Sequence, residues 1–260
     1  MIDWLYTVPD LAAVSIFVGI VVVVIVVVPR LVRRAFGLKR NDDAADYAIR
    51  AQGTLITACI FVLGFSLVQA QQTYHRVENQ VSTEATLINQ LDRLLVRYGE
   101  PKLEDVRQQL HSYARSIVAD EWPELRRGKG SDKTRQAFGP VSRGVLAIEP
   151  GPGRQSAIYA DMLKKVDELS EVREQRIEAS NDALPAVFWR VIIGLLVLMT
   201  VMACLIEQTV ARTIGMAGQA VAVTALLSLV FISDRPFLGQ TSVGPDDIVK
   251  VITTMEARKN

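Results

Sequence analysis

Residues 51–98 read AQGTLITACIFVLGFSLVQAQQTYHRVENQVSTEATLINQLDRLLVRY, and their order decides the fold. The first twenty carry no charge. From Arg76 onward charges recur beside Val77, Val81, Leu87, Leu91 and Leu94 or Leu95, which share one helical stripe. Neither Gly nor Pro falls between Gly64 and Gly99. The pattern therefore predicts one helix that crosses a bilayer and continues outside it. Gly99-Glu100-Pro101 ends that helix, and Pro101 suits the first turn of the next.

Three further apolar runs accompany this one. Residues 11–29 read LAAVSIFVGIVVVVIVVVP, the third run covers Val191 to Ile206, and the fourth Ile214 to Ile232. A hydrocarbon layer about 30 Å thick needs roughly 20 apolar residues at 1.5 Å rise each. The third run reaches that length with Ala183 to Trp189 included, which puts Arg190 at an interface where it can snorkel beside Trp189. The first run lacks a basic n-region and is too long for a signal peptide, so it reads as a retained anchor. Cys59 and Cys204 both lie in apolar runs and read as small packing residues.

The expected fold is all-α: an integral membrane protein with four transmembrane helices and a helical-bundle extramembrane domain between helices 2 and 3. Its expected parts are residues 8–72 (helices 1 and 2 with the basic loop 30–50), 73–182 (the charged bundle), 183–235 (helices 3 and 4) and a tail, 236–260. Loop 30–50 holds Arg30, Arg33, Arg34, Lys39, Arg40 and Arg50, whereas the N-terminal tail holds only Asp3 and Asp10. Basic short loops stay in the cytoplasm. The N-terminus and residues 72–186 are therefore expected outside, in a bacterial inner membrane.

Residues 72–186 contain 17 Lys or Arg and 18 Asp or Glu, so nearly balanced that no basic stripe points to nucleic acid. Leu103, Val106, Leu110, Tyr113, Ile117 and Val118 make a second apolar stripe, which closes near Trp122-Pro123. Tyr159, Met162, Val166 and Leu169 make a third. RRGKGSDK and EPGPGR are loops flanking a short helix from about Thr134 to Ala147.

No catalytic constellation is present. The histidines are His75 and His111, with no Cys, His or carboxylate at metal-ligand spacing, and Glu78 near His75 reads as a solvated pair. Phosphate-binding, nucleophile-elbow and zinc-protease motifs are missing. The expectation is no enzyme, no cofactor and no metal. The expected partners are membrane lipids, a second copy of the chain and ions.

Helix 2 offers two candidate surfaces. Gly53, Thr57 and Gly64 fall with Ile60 on one face, and small residues there suit close helix packing. Thr54, Ala58, Phe61, Phe65, Gln69 and Gln72 fall on a neighbouring face, polar at both ends and aromatic between. Ordinary packing with polar ends suits that face. So does a pore with wet mouths and an apolar constriction. Asp234 and Arg235 mark the membrane boundary after the fourth run. They read as a helix terminus with an anchor, or as a charge pair in a subunit contact or ion path.

Along about residues 35–245 the chain resembles the bestrophin-like family of bacterial membrane proteins. The likeness rests on Lys39-Arg40-Asn41-Asp42, Gly64-Phe65, Tyr74, Val77, Glu84-Ala85, Tyr113 and Glu121-Trp122-Pro123. It continues through Tyr159, Leu163, Leu169, Arg173, Arg176, Leu184-Pro185, Trp189 and Asp234-Arg235-Pro236-Phe237 with Gly239. The resemblance implies an oligomeric channel, a tetramer or pentamer, with anions as the permeant ions. It further implies a pore lined by helix 2, with Phe61 and Phe65 as its neck. Two features depart from bestrophins proper: no acidic calcium-binding run stands in the tail, and the basic loop turns the helical domain outward rather than into the cytoplasm. A second reading is a sensor or scaffold whose helical bundle binds a ligand or partner protein.

Overall fold

A computed structural model describes residues 10–37, 42–207, 209–239 and 241–258. Asp3, Lys39, Arg40 and Asn41, on which part of the orientation and resemblance arguments rest, lie outside the described residues. The described chain is helical: α1 Asp10–Phe36, α2 Asp42–Tyr98, α3 Leu103–Ser116, α4 Trp122–Leu125, α5 Asp132–Leu146, α6 Arg154–Ala179, α7 Ala186–Leu205, α8 Val210–Ser233 and α9 Asp246–Ala257. Four of these, α1, α2, α7 and α8, are long and apolar enough to cross a membrane. The protein is an all-α integral membrane protein with four transmembrane helices.

Helix α2 runs 57 residues without a break. It stops where Gly99 takes φ +82°, the left-handed turn a glycine adopts at a helix C-terminus without a Cβ clash. Two compact units share it: Met1–Gln72 with Ala183–Thr241, and Thr73–Asp182 with Ser242–Asn260.

The membrane unit packs Val21 and Ile25 of α1, Cys59 and Leu63 of α2, Ile192, Met199 and Ala203 of α7, and Ala220, Val223, Leu227 and Val230 of α8 into one apolar cluster. Its outer surface stays apolar, with Ile20, Val23, Ile193, Val197 and Val201 exposed, as hydrocarbon contact requires. Helix α8 is the most enclosed span, with 44% of its apolar window buried against 17% for α7. Hydroxyls inside the spans satisfy themselves on the preceding turn. Ser66 Oγ donates to the Val62 carbonyl at 2.8 Å, Thr224 Oγ1 to Ala220 at 2.6 Å, and Ser228 Oγ to Thr224 at 2.8 Å. Arg33 of α1 donates to the Cys204 and Leu205 carbonyls at 3.1 and 3.2 Å, supplying the free C-terminal carbonyls of α7 with a cation. Pro185 stands at the N-cap of α7.

The second unit is a helical bundle. The three predicted stripes supply its core: Val77, Val81, Leu87, Leu91 and Leu95; Leu103, Val106, Leu110, Tyr113 and Ile117; and Met162, Val166 and Leu169 are buried, while Val118 and Tyr159 are half-buried. Two details differ from the sequence reading. The second stripe does not close at Trp122-Pro123 but passes through a π-helical turn, Ile117–Glu121, into α4. Pro123 sits in the first turn of α4, directly after the π-helical turn. The segment 236–260 contains α9, whose Ile248 and Met255 are buried.

Candidate functional site

The α2 face singled out by periodicity is open within the chain. Thr54, Ala58, Phe61, Phe65 and Gln72 are exposed and Gln69 is half-buried. At about 100° per residue, the buried positions Gln52, Cys59, Leu63, Ser66 and Ala70 lie around the far side of the helix. Phe61 is 75% exposed, the most open large apolar side chain on α2. Phe65 is braced: its ring stacks on Phe188 at the start of α7, with centroids 5.9 Å apart and planes 18° from parallel. Thr54 turns its hydroxyl back to the Arg50 carbonyl at 3.4 Å. The membrane unit therefore presents a line of two aromatic rings between polar residues, with Phe61 largely uncovered by the described residues.

The small-residue face expected to suit close helix packing meets no helix of its own chain among the described residues. Gly53 and Thr57 are exposed and Gly64 half-buried. A methyl group added at Gly53 or Gly64 would meet no other side chain or helix of this chain within 4 Å. The intrachain contact is made instead by Cys59 and Leu63, because the apolar stripe of α2 outweighs its small residues in choosing the buried side.

Asp234 acts at the end of α8. Its Oδ1 accepts a 2.6 Å hydrogen bond from the Leu184 backbone N–H, just before α7 begins. The carboxylate thus fastens the end of one span to the start of another. Arg235, the other half of the expected charge pair, is half-exposed beside it.

The bundle unit holds a feature that periodicity did not disclose. Glu84 of α2, Tyr113 of α3, Glu121 of the π-helical turn, and Arg173 and Arg176 of α6 meet in its interior, none more than 5% exposed. Arg176 donates from Nε to Glu84 Oε2 at 2.6 Å and from Nη2 to Glu84 Oε1 at 3.2 Å and Glu121 Oε2 at 2.6 Å. Arg173 holds the other side of Glu121, and Tyr113 donates to Glu84 Oε1 at 3.2 Å. The Trp122 ring lies 5.4 Å from the Arg176 guanidinium carbon, within cation–π range. Burial disfavours the charge on Arg176, but Glu84 and Glu121 outweigh it and raise its pKa above the ordinary value. Burial and then the Glu84 charge push the Tyr113 phenol well above its usual range, so it remains a neutral donor. Two carboxylates and two guanidiniums balance one another, which makes this a structural tie between helices rather than an acid–base site.

A second buried set pins α9. Asp92 accepts from Arg107 Nε at 2.7 Å and Arg258 Nη1 at 2.8 Å, and His111 Nε2 lies 3.3 Å away. Arg115 pairs with Glu256 at 2.5 Å. His75 and Glu78 form the exposed pair expected of them, 3.3 Å apart.

Two solved structures share this fold. One, a crystal structure of a membrane protein variant, is 11% identical, with a TM-score of 0.67 over 94% of this chain and 97% of its own. The other, a variant of a bacterial bestrophin homologue from Klebsiella pneumoniae, is 12% identical, with a TM-score of 0.68 over 96% of this chain and 99% of its own. No curated protein matches the sequence. The Bestrophin-like domain model matches residues 15–248, almost the whole chain, and the protein belongs to that family.

Proposed function

We propose that the protein is a homo-oligomeric ion channel in which α2 of each copy faces a central pore, anions being the permeant ions. The observation that carries this is the open line Thr54, Ala58, Phe61, Phe65, Gln69 and Gln72, with Phe61 75% exposed on a span whose far side is packed. Lipid contact alone suits the phenylalanines, but it does not call for a threonine and two glutamines on the same line. Repeated around an axis, the rings form an apolar constriction between wet mouths. The open faces at Gly53, Thr57 and Gly64 leave room for the neighbouring copy of a tetramer or pentamer. Family membership and the shared fold support the same reading.

Planar-bilayer recording of purified protein tests it. Anion current that changes on Phe61→Ala or Phe65→Ala supports the channel. Silence, with a partner protein co-purifying, favours the sensor or scaffold reading.

The membrane is taken to be the bacterial inner membrane, with residues 30–50, which the structure makes largely the end of α1 and the start of α2 rather than the loop expected, in the cytoplasm and residues 72–186 outside. In support, Arg30, Arg33 and Arg212 gather at one end of the membrane unit, where Arg30 donates to Thr213 Oγ1 at 3.0 Å. An impermeant thiol label on intact cells should reach Lys129→Cys in a cysteine-free background. Labelling only after lysis gives the opposite orientation.

A further inference from the structure

Most polar side chains within the spans find a backbone partner one turn away, but Gln52 does not. Gln52 lies at the start of the apolar stretch of α2 and is 3% exposed, and neither its Oε1 nor its Nε2 has a hydrogen-bond partner. A buried amide left unpaired costs about 1–3 kcal/mol, so an occupant that satisfies it is favoured. The amide borders a cavity of about 190 Å3 in the membrane unit, lined by Ile49, Gln52, Ile206, Arg212, Met216 and Gln219 together with Gly53 and Gly215. Room for a small anion with several waters exists there.

The lining carries one formal charge, Arg212, and no carboxylate. Arg212 is held loosely: its Nη1 reaches the Glu207 carbonyl at 3.5 Å, leaving most of its donors for an occupant. Neighbouring positive charge adds to it, since Arg30 donates to Thr213 and Arg33 to the end of α7. The cavity also sits where three spans begin or end, at residue 52 of α2, just past Leu205 of α7 and in the first turns of α8. That is the depth of lipid phosphates.

We propose that this pocket binds a phosphate-bearing anion at the membrane surface, with Arg212 meeting its charge and the Gln52 amide completing its hydrogen bonds. An unpaired amide offers both donors and an acceptor. It suits a phosphate oxygen beside a hydroxyl or ammonium group, as in a phospholipid headgroup, or a protonated free phosphate. The site is separate from the line of Phe61 and Phe65, and its occupancy is measured without any current.

The test uses the full chain purified in an uncharged detergent. Inorganic phosphate is titrated against chloride at equal ionic strength while the unfolding temperature is followed. In parallel, native mass spectrometry counts bound phosphatidylglycerol, with diacylglycerol as the control lacking phosphate. Wild type should bind at least one of the two phosphate sources, and Arg212→Gln and Gln52→Leu should each weaken binding about tenfold. A response to phosphatidylglycerol alone assigns a lipid headgroup, and a response to inorganic phosphate alone assigns the free ion. Gln52→Leu removes two unpaired polar atoms from a buried position, so without phosphate it should unfold no lower than wild type. Absence of binding to both sources, equal binding by both variants, or a lowered unfolding temperature for Gln52→Leu overturns the proposal.

Discussion

Replacing Arg176 by Met removes the centre of the bundle's ionic core while nearly conserving volume. Arg176 is fully buried, and its loss breaks three charge-assisted hydrogen bonds, two to Glu84 and one to Glu121. Glu121 keeps Arg173, but Glu84 keeps only the neutral Tyr113 hydroxyl. A carboxylate stranded in this way costs about 3–5 kcal/mol, far more than the intact pair contributes over an apolar replacement. For a chain of this size that corresponds to a fall of roughly 6–20 °C in unfolding temperature. Trp122, 5.4 Å from the guanidinium, becomes a local fluorescence reporter once Trp4 and Trp189 are replaced by Phe. Melting of the detergent-solubilised full chain is compared at one scan rate, because unfolding of such proteins is often irreversible. The double variant Arg176→Met, Glu84→Gln should recover much of the loss, since it removes the stranded charge as well. A single variant melting within about 2 °C of wild type, or a double variant no better than the single, refutes the assignment of a charge-balanced core.

Three other outcomes follow from the same geometry. Burial raises the Tyr113 pKa above its ordinary value of 10.0, so its contribution to stability is fully present below pH 10 and is lost as pH rises above that. Tyr113→Phe should flatten the alkaline fall in unfolding temperature, and absorbance at 295 nm should show one fewer tyrosine titrating only after unfolding. Arg258→Gln removes bonds to Asp92 at 2.8 Å and Asn89 at 2.5 Å, and should speed amide hydrogen exchange in α9 roughly tenfold while sparing α3. Phe188→Ala removes the ring under Phe65 and should lower stability by about 1 kcal/mol beyond lost burial, with currents altered in the manner of Phe65→Ala.

The spans and bundle stripes were legible because burial in one helix repeats at a fixed period, and because lipid demands length. The continuous α2 followed from 34 residues without Gly or Pro. The ionic core was legible in principle. Glu84 continues the series Val77, Val81, Ile88, Leu91 and Leu95, and Arg173 and Arg176 continue Met162, Val166 and Leu169 at the same spacing. Charged residues on a buried stripe were the signal, and a reading that counts charge as solvated misses it. Glu121 likewise stands four residues after Ile117, on the stripe of Leu103, Val106, Leu110 and Tyr113, and leads on to the buried Leu125. Helix α9 was passed over because Ile248 and Met255 are too few to mark a stripe, and the side chains that fasten it lie far off in α2 and α3. Periodicity also picked out the faces of α2 without deciding between them. Gly53, Thr57 and Gly64 suited close packing with a helix that periodicity could not name, and within the chain it is Cys59 and Leu63 that pack.

The central claim is that the Thr54–Gln72 line of α2 faces the permeation path. Single cysteines at Thr54, Phe61, Phe65 and Gln69, placed in a Cys59→Ala, Cys204→Ala background, are treated with a charged, water-soluble thiol reagent during bilayer recording. The account predicts that modification at these positions changes conductance within seconds, whereas a cysteine at Ile193, exposed on the outer face of α7, leaves it unchanged. Conductance unaffected by modification along α2, or altered equally from Ile193, would contradict it.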